Sequence, residues 1–100
     1  MDSTPASALN IVHRPEASRF EVALDAGLGL CSYRRQGNEL LLTHTEVPPA
    51  LEGRGIAAAL VRHTLDWARR EGLRVRPLCS YVGAYMRRHP ETHDLLQARA

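Results

Sequence analysis

Apolar and polar residues alternate in the first half of the chain, and this period of two predicts short strands. In Phe20-Glu21-Val22-Ala23-Leu24 the large apolar side chains take every second position, as expected for a sheet with one solvent-exposed face. The run Leu40-Leu41-Leu42 instead predicts a strand buried on both faces, in the centre of the sheet. The predicted strands cover residues 11–13, 20–24, 28–35 and 39–47. Turns connect them at residues 15–18, 25–27 and 37–38.

The period changes to that of a helix after Pro48 and Pro49. Small and apolar residues then recur on one helical stripe, which consists of Ala57, Leu60, Val61, Thr64, Leu65 and Ala68. The pattern predicts a helix over 55–71 that Gly72 ends, because glycine favours the position after a helix. A strand over 73–79, a helix over 81–88 with Ser80 as N-cap, and a last helical turn within 91–98 complete the chain.

This order predicts an α+β fold with a mixed, mostly antiparallel sheet, a central helix after the fourth strand and a short C-terminal helix. The helical crossover makes the strands over 39–47 and 73–79 parallel or nearly neighbouring. We expect residues 1–9 to form a flexible N-terminal tail and residues 10–98 to form one domain, which suits a chain of 100 residues.

Composition narrows the class of protein. No apolar run approaches the roughly 20 residues of a membrane span, and the first residues lack the features of a secretory signal. Cys31 and Cys79 form no CxxC motif, and the histidines and cysteines show no metal-ligand spacing. We therefore expect a cytoplasmic protein that uses neither a metal nor a membrane.

Positive charge is concentrated in residues 54–90, where eight arginines face only Asp66 and Glu71. This segment favours an anionic ligand, although a solvated helix face is the simpler interpretation. Nucleic acid is not the expected partner, because the chain has no RNA-binding signature and only five aromatic residues for base stacking.

The segment between the fourth strand and the central helix has the features of an anion site. Gly53 and Gly55 lack a Cβ, so the backbone can turn sharply and approach a ligand closely. The N–H groups at the helix start favour negative charge, and Arg54 adds a cation. A plain strand-to-helix turn that needs glycine for its geometry is the alternative.

Five further side chains are candidates for chemistry. His44 and Glu46 are two residues apart on a strand and share one face, although a hydrogen-bonded structural histidine is the commoner case. Cys79 precedes a helix, which favours its thiolate, whereas most free cysteines are simply buried. Tyr81 and Tyr85 lie four apart on one helix face, either as core residues or as a proton donor.

The segment Glu52-Gly53-Arg54-Gly55-Ile56-Ala57 resembles the acetyl-coenzyme A signature of the GNAT superfamily of N-acetyltransferases, with Glu52 where Gln or Arg is usual. The patterns His44-Thr45-Glu46-Val47-Pro48, Pro77-Leu78-Cys79-Ser80-Tyr81 and Tyr85-x-Arg87-Arg88-His89-Pro90 extend the resemblance to about residues 10–96. Together they resemble the small single-domain, YjdJ-type subgroup.

The resemblance implies that acetyl-CoA enters a wedge between the strands over 39–47 and 73–79. It implies a catalytic pair of Cys79 and His44. It also implies the cofactor-binding residues Glu46, Val47, Gly53, Arg54, Gly55, Ile56, Ala57, Tyr85 and Arg88.

The implied reaction moves acetyl to a primary amine, on a small molecule or a peptide. Larger members carry acceptor-binding helices between the first two strands, where this chain has only a short turn. The acceptor site should then be open or completed by a protein partner. A non-catalytic module that binds CoA or acyl-CoA is the alternative function.

Overall fold

Five strands form one mixed sheet in the computed structural model, which describes residues 9–96. The strands lie in sequence order and are β1 (Val12–Arg14), β2 (Arg19–Leu24), β3 (Gly27–Gln36), β4 (Glu39–Glu46) and β5 (Arg74–Pro77). The first four pair antiparallel, whereas β4 and β5 pair parallel, as the helical crossover requires. The predicted fold class and the predicted neighbours are thus confirmed.

The chain also forms two α-helices, α1 (Ile56–Arg70) between β4 and β5, and α2 (Ser80–Arg88) after β5. Short 3₁₀ helices cover Pro15–Ala17, Pro49–Leu51 and Pro90–Leu95, the last in place of the helical turn predicted within 91–98. β5 is shorter than predicted because Pro77 has no N–H to continue the ladder. The predicted tail over 1–9 and the domain end at 98 fall mostly outside the described residues.

Ser80 is not the N-cap of α2, as the sequence predicted, but its first helical residue. Cys79 is the N-cap, with an extended backbone and a carbonyl that accepts the first helical hydrogen bond from the N–H of Gly83 (3.0 Å). Serine is a preferred residue at an N-cap, but the point at which the chain leaves the sheet makes Cys79 the N-cap here. The sulfur of Cys79 is therefore brought to the start of the helix.

One hydrophobic core lies between the sheet and both helices. The buried stripe of α1 includes Leu60, Val61, Leu65 and Ala68, and it packs with Leu40 and Leu42 of β4 and with Val82 and Met86 of α2. Fully burying one such large apolar side chain stabilises the fold by about 1.5–3 kcal/mol. Thr64 is the polar member of the stripe, and its hydroxyl donates to the carbonyl of Leu60 (2.9 Å).

The leucine run of β4 is buried on both faces, as predicted. Leu41 points away from the core but is only 5% exposed, because Arg34 and Arg76 flank it on the neighbouring strands. That opposite face of the sheet carries exposed charged side chains. No helix within residues 9–96 is long and apolar enough to cross a membrane.

Candidate functional site

β4 and β5 separate at their carboxyl ends and leave a wedge. Their pairing ends at Leu42 and Pro77, while β4 continues to Glu46. The N–H groups of Leu78 and Cys79 both turn in to donate to the carbonyl of Leu42 (3.0 Å each). The wedge predicted between these two strands is thus present.

A cavity of about 340 Å³ opens at this wedge, between the end of β4 and the start of α1. Its lining combines a strand end, a glycine-containing loop, a helix start and one tyrosine. The lining residues are Thr45, Glu46, Val47, Leu51, Glu52, Gly53, Gly55, Ile56, Ala57 and Tyr81. Six of the nine residues implied to bind the cofactor therefore lie together in one lining, namely Glu46, Val47, Gly53, Gly55, Ile56 and Ala57.

The two glycines of the loop have the conformation for which the sequence argument needed them. Gly53 and Gly55 have φ of 83° and 80°, in the left-handed region that other residues enter only at a cost. A Cβ on Gly53 would meet no heavy atom within 4 Å, so the requirement there is conformational rather than steric.

The start of α1 offers backbone N–H groups without partners in the helix. Gly55 is the N-cap, no side chain caps the helix, and its first turn contains no acidic residue. The first helical hydrogen bond runs from the N–H of Ala59 to the carbonyl of Gly55 (3.0 Å). The N–H groups of residues 56–58 precede that bond, and Ile56 and Ala57 line the cavity. Such a helix start suits an anion.

The arginines of residues 54–90 do not form a single patch. Arg69 pairs with Asp94 and Arg76 with Glu39, both away from the cavity. Arg54 is exposed in the loop beside the cavity, and Arg88 lies near enough to the cavity-lining Tyr81 to act on its pKa. Only part of the basic segment can therefore act on a ligand in the cavity.

Cys79 lies at the edge of the wedge, against Thr45. Its Sγ is 3.7 Å from the Thr45 Oγ1. Partial burial acts to raise the pKa of Cys79, but the backbone N–H of Val82, the Thr45 hydroxyl and the backbone of Tyr81 outweigh it and hold the pKa below its usual value. The sulfur makes no standard capping hydrogen bond, so this is the combined effect of several weak interactions. Burial raises the pKa of Cys31, the other free thiol.

Arg87 and Arg88 do not contribute to the lowered pKa of Cys79. Arg87 and Arg88 end α2, and the helix rise of 1.5 Å per residue separates them from its start by about 12 Å. The stabilising groups are instead the N–H groups at the helix start and Thr45. The lowered pKa of Cys79 thus agrees with the expectation that the helix start favours the thiolate, and Thr45 adds a contribution that the sequence did not predict.

His44 and Glu46 share a face, as the spacing predicts, with His44 Nε2 3.1 Å from Glu46 Oε1. Both side chains are mostly exposed. His44 does not line the cavity, whereas Glu46 does. Glu46 therefore connects the cavity with the imidazole of His44. Within residues 9–96 the structure shows no direct contact between His44 and Cys79.

Tyr85 is a core residue. It is 5% exposed, and its ring stacks on His89 with centroids 3.9 Å apart. The imidazole Nδ1 of His89 is also 2.7 Å from the carbonyl of Tyr85. Neither Tyr85 nor Arg88 lines the cavity, and of the two tyrosines it is Tyr81 that does.

Thr45 and Leu51 line the cavity although sequence reasoning did not select them. Leu51 ends the 3₁₀ helix Pro49–Leu51, which the two prolines signal. Thr45 reaches the cavity because of a bulge, where Tyr33 pairs with Leu42 but Ser32 pairs with His44. The extra residue of β4 shifts the alternation, so that Thr45 rather than His44 faces Cys31. The residue pattern of β4 alone does not reveal this bulge, because the bulge depends on how β4 pairs with β3.

Comparison with known proteins gives one consistent result. The family model described as GCN5-related N-acetyl-transferase matches residues 19–95. The chain is 32% identical over 89 residues to Protein NATD1 of Xenopus tropicalis, covering 86% of this chain and 82% of the relative. It is 33% identical over 97 residues to Protein NATD1 of Mus musculus, covering 88% of each.

A solved structure shares the fold. The solution structure of a GCN5-like protein from Staphylococcus aureus superposes with a TM-score of 0.73. The match covers 94% of this chain and 93% of that one, at 24% sequence identity. At that identity the likeness concerns the fold alone.

Proposed function

Because the chain belongs to the GCN5-related N-acetyltransferase family, we propose that it binds acetyl-CoA in the wedge cavity and transfers the acetyl group to a primary amine. The observation that carries this proposal is the uncapped start of α1, which opens into the cavity at the end of β4. An anionic ligand with an extended arm suits a site that has N–H groups at one end and a strand edge at the other.

The phosphates of CoA would lie against the loop of Gly53 and Gly55 and the N–H groups that begin α1. Arg54 would add positive charge from the loop, and Arg88 would do so from beyond Tyr81. The extended arm of CoA would follow the strand end at Glu46 and Val47, where β4 has lost its partner β5. This arrangement would bring the thioester to the part of the wedge that contains Thr45 and Cys79.

The lowered pKa of Cys79 favours a covalent relay over a role as general acid. In that relay the Cys79 thiolate attacks the thioester carbonyl, a carbon–sulfur bond to Cys79 forms, and CoA leaves as its thiolate. The amine then attacks the acetyl-cysteine and restores the Cys79 thiolate. His44, held by Glu46, would accept the proton that the amine loses. Direct attack of the amine on acetyl-CoA is the other order of events.

The acceptor would approach from the opposite, charged face of the sheet, where His44 and Glu46 are exposed. An open face of this kind suits a peptide amine or an amine presented by a partner protein as well as a small molecule. A cytoplasmic setting, where thiols stay reduced and acetyl-CoA is available, forms part of the proposal.

Two measurements test the proposal. Calorimetric titration should show CoA binding, and turnover should be detected with at least one member of a panel of amines. A protein that binds CoA but acetylates no amine would be the non-catalytic module. A protein that does not bind CoA would contradict both functions.

Mass spectrometry after exposure to acetyl-CoA separates the two orders of events. The relay predicts an acetyl group on Cys79 and none on the buried Cys31. Cys79→Ala should abolish the adduct and reduce turnover while leaving CoA affinity within a few-fold, because the phosphate contacts lie elsewhere. Undiminished turnover of that variant would leave the chemistry to His44 and the backbone.

A further inference from the structure

The hydroxyl of Thr45 lies between two thiols that come from different strands. Cys79 Sγ is 3.7 Å and Cys31 Sγ is 4.0 Å from the Thr45 Oγ1. Cys31 lies on β3 and is fully buried, whereas Cys79 follows β5 at the wedge and is partly buried. The three groups form a row that runs from the core to the edge of the cavity.

The row depends on the bulge of β4. Thr45 pairs with Cys31 on β3, and without the extra residue this position would point to the charged face of the sheet. The bulge therefore places a hydroxyl, rather than the imidazole of His44, between the two sulfurs. Thr45, the middle member of the row, also lines the cavity, so the row borders the site where the proposed substrate binds.

A hydroxyl has one proton to donate, so the row has a direction. When Cys79 is a thiol, it donates to Thr45, and Thr45 donates to Cys31, which is the order of the observed geometry. When Cys79 is a thiolate, the order reverses, with Cys31 donating to Thr45 and Thr45 donating to Cys79. Cys31 suits the second order because burial raises its pKa and keeps its proton.

We propose that Thr45 is a positioning residue which, with the Cys31 thiol behind it, orients the Cys79 sulfur and holds it as a thiolate at the cavity. Donors arranged in a row polarise one another, so the Cys31 thiol strengthens the hydrogen bond that Thr45 gives. The role of this arrangement in catalysis rests on the proposed function. The effect on the ionisation of the Cys79 thiol does not depend on that function.

Other groups near Cys79 define the background of this effect. The backbone of Tyr81 contacts it from α2 and the Cys31 thiol acts on it from β3, while the exposed His44 and Glu46 lie on the opposite face of β4. The N–H groups of Val82 and Tyr81 also act on the sulfur and stay in place when the side chain of Thr45 is changed. A substitution of Thr45 should therefore reduce the effect without removing it.

The test is the rate of alkylation of Cys79 by iodoacetamide as a function of pH, followed by mass spectrometry of each cysteine. Thr45→Val keeps the shape and the strand preference but removes the hydroxyl. At neutral pH it should slow alkylation about three- to tenfold, the value of one modest hydrogen bond, and move the midpoint to higher pH. Thr45→Ser keeps a hydroxyl and should stay close to the wild type.

Thr43→Val is the matched control, because Thr43 lies on the same strand as Thr45 and its hydroxyl donates to the carbonyl of Ser32 on β3 (3.3 Å) and not to a thiol. It should leave the alkylation profile unchanged. Cys31→Ala should shift the profile in the same direction as Thr45→Val, but by less, because it removes only the second donor.

An alkylation profile of Thr45→Val that equals the wild type would overturn the inference, as would an equal shift in Thr43→Val. If Thr45→Val does not fold, a wild-type profile for Thr45→Ala would be equally decisive. Alkylation needs neither acetyl-CoA nor an amine. Failure here is therefore distinct from failure of the proposed function, which would appear as absent CoA binding.

Discussion

At the start of α1, Gly53 and Gly55 have φ of 83° and 80°, and just beyond its end Gly72 has φ of 70°. The backbone conformation is the same, but its surroundings differ. Beyond the end, the N–H of Gly72 donates to the carbonyl of Arg69 (3.2 Å) and that of Leu73 to the carbonyl of Ala68 (2.9 Å). These bonds satisfy helix carbonyls, whereas the first N–H groups face a cavity.

Side chains extend this contrast. The last turn contains Arg69 and Arg70, which suit the negative end of the helix dipole, and Arg69 pairs with Asp94. Arg74 also donates to the carbonyl of Asp94 (3.3 Å). A second cavity, of about 310 Å³, lies here, but the Arg69–Asp94 ion pair is part of its lining. Left-handed glycines thus end the helix where hydrogen-bond partners are present, and they leave N–H groups open to the cavity where such partners are absent from the helix.

The largest difference between the two ends should appear in CoA binding. Gly55→Val places a branched side chain in a left-handed backbone at the proposed phosphate site and should weaken CoA binding by about tenfold or more. Gly72→Val imposes a comparable strain at the other end and should bind CoA like the wild type. Calorimetric titration of both folded variants is the measurement. Equal losses would mean that strain, and not the site, weakens binding.

Stability should not distinguish the two ends. Gly53→Ala and Gly72→Ala each put a Cβ where no heavy atom lies within 4 Å, so both introduce conformational strain alone. Each should cost about 1–2 kcal/mol of the free energy of unfolding. Denaturant unfolding of the two variants measures this. A much larger cost at Gly53 would show that its loop is also a structural element of the fold.

Salt should weaken CoA binding because it screens the positive charge at the N-terminal end of α1. Raising the salt concentration from about 0.05 M to about 0.5 M shortens the screening length and should weaken CoA binding roughly threefold or more. Dephospho-CoA, which lacks one phosphate, should bind less tightly and respond less to salt. The same affinity at both salt concentrations would mean that Arg54 and Arg88 are only solvated surface.

The smallest effect is expected on the stability contributed by the Arg69–Asp94 pair at the C-terminal end of α1. The hydrogen bond from Arg69 holds the pKa of Asp94 below its usual 3.8. Because the pKa is lower in the folded state, the stabilisation is complete above pH 3.8 and is lost as the pH falls through the folded value. Asp94→Asn should therefore lower the melting temperature slightly at neutral pH, and the difference should vanish in acid.

CoA affinity provides the control for Asp94→Asn, since this end of α1 takes no part in the proposed site. The affinity should be unchanged. A melting difference that persists in acid would show that the substitution acts through packing rather than through charge.

Much of the fold could be predicted because its signals are local. The change of period after Pro49 separates strands from helix, and Gly72 ends α1 where expected. The loop of Gly53 and Gly55 could be recognised because glycine turns sharply and enters left-handed backbone more readily than any other residue. The crossover rule predicted that β4 and β5 are parallel or nearly neighbouring, and the structure shows them to be both.

The cavity lining shows where local signals end. Tyr81 and Tyr85 lie one helical turn apart, and only the packing of α2 decides that Tyr81 lines the cavity while Tyr85 stacks on His89. Similarly, the sequence does not distinguish the arginines of residues 54–90 that form ion pairs from those that lie near the cavity. Asp94 and Glu39, from distant parts of the chain, determine that Arg69 and Arg76 form ion pairs elsewhere.

The sequence by itself determined the order of the elements and the presence of an apolar stripe on α1, since each depends on neighbours within one or two turns. Only the tertiary structure decided that Thr45 rather than His44 lies between Cys31 and Cys79. The reason is the bulge between β3 and β4, which reverses the faces of all later residues of β4. A bulge is a property of the register between two strands, and one strand does not contain that register.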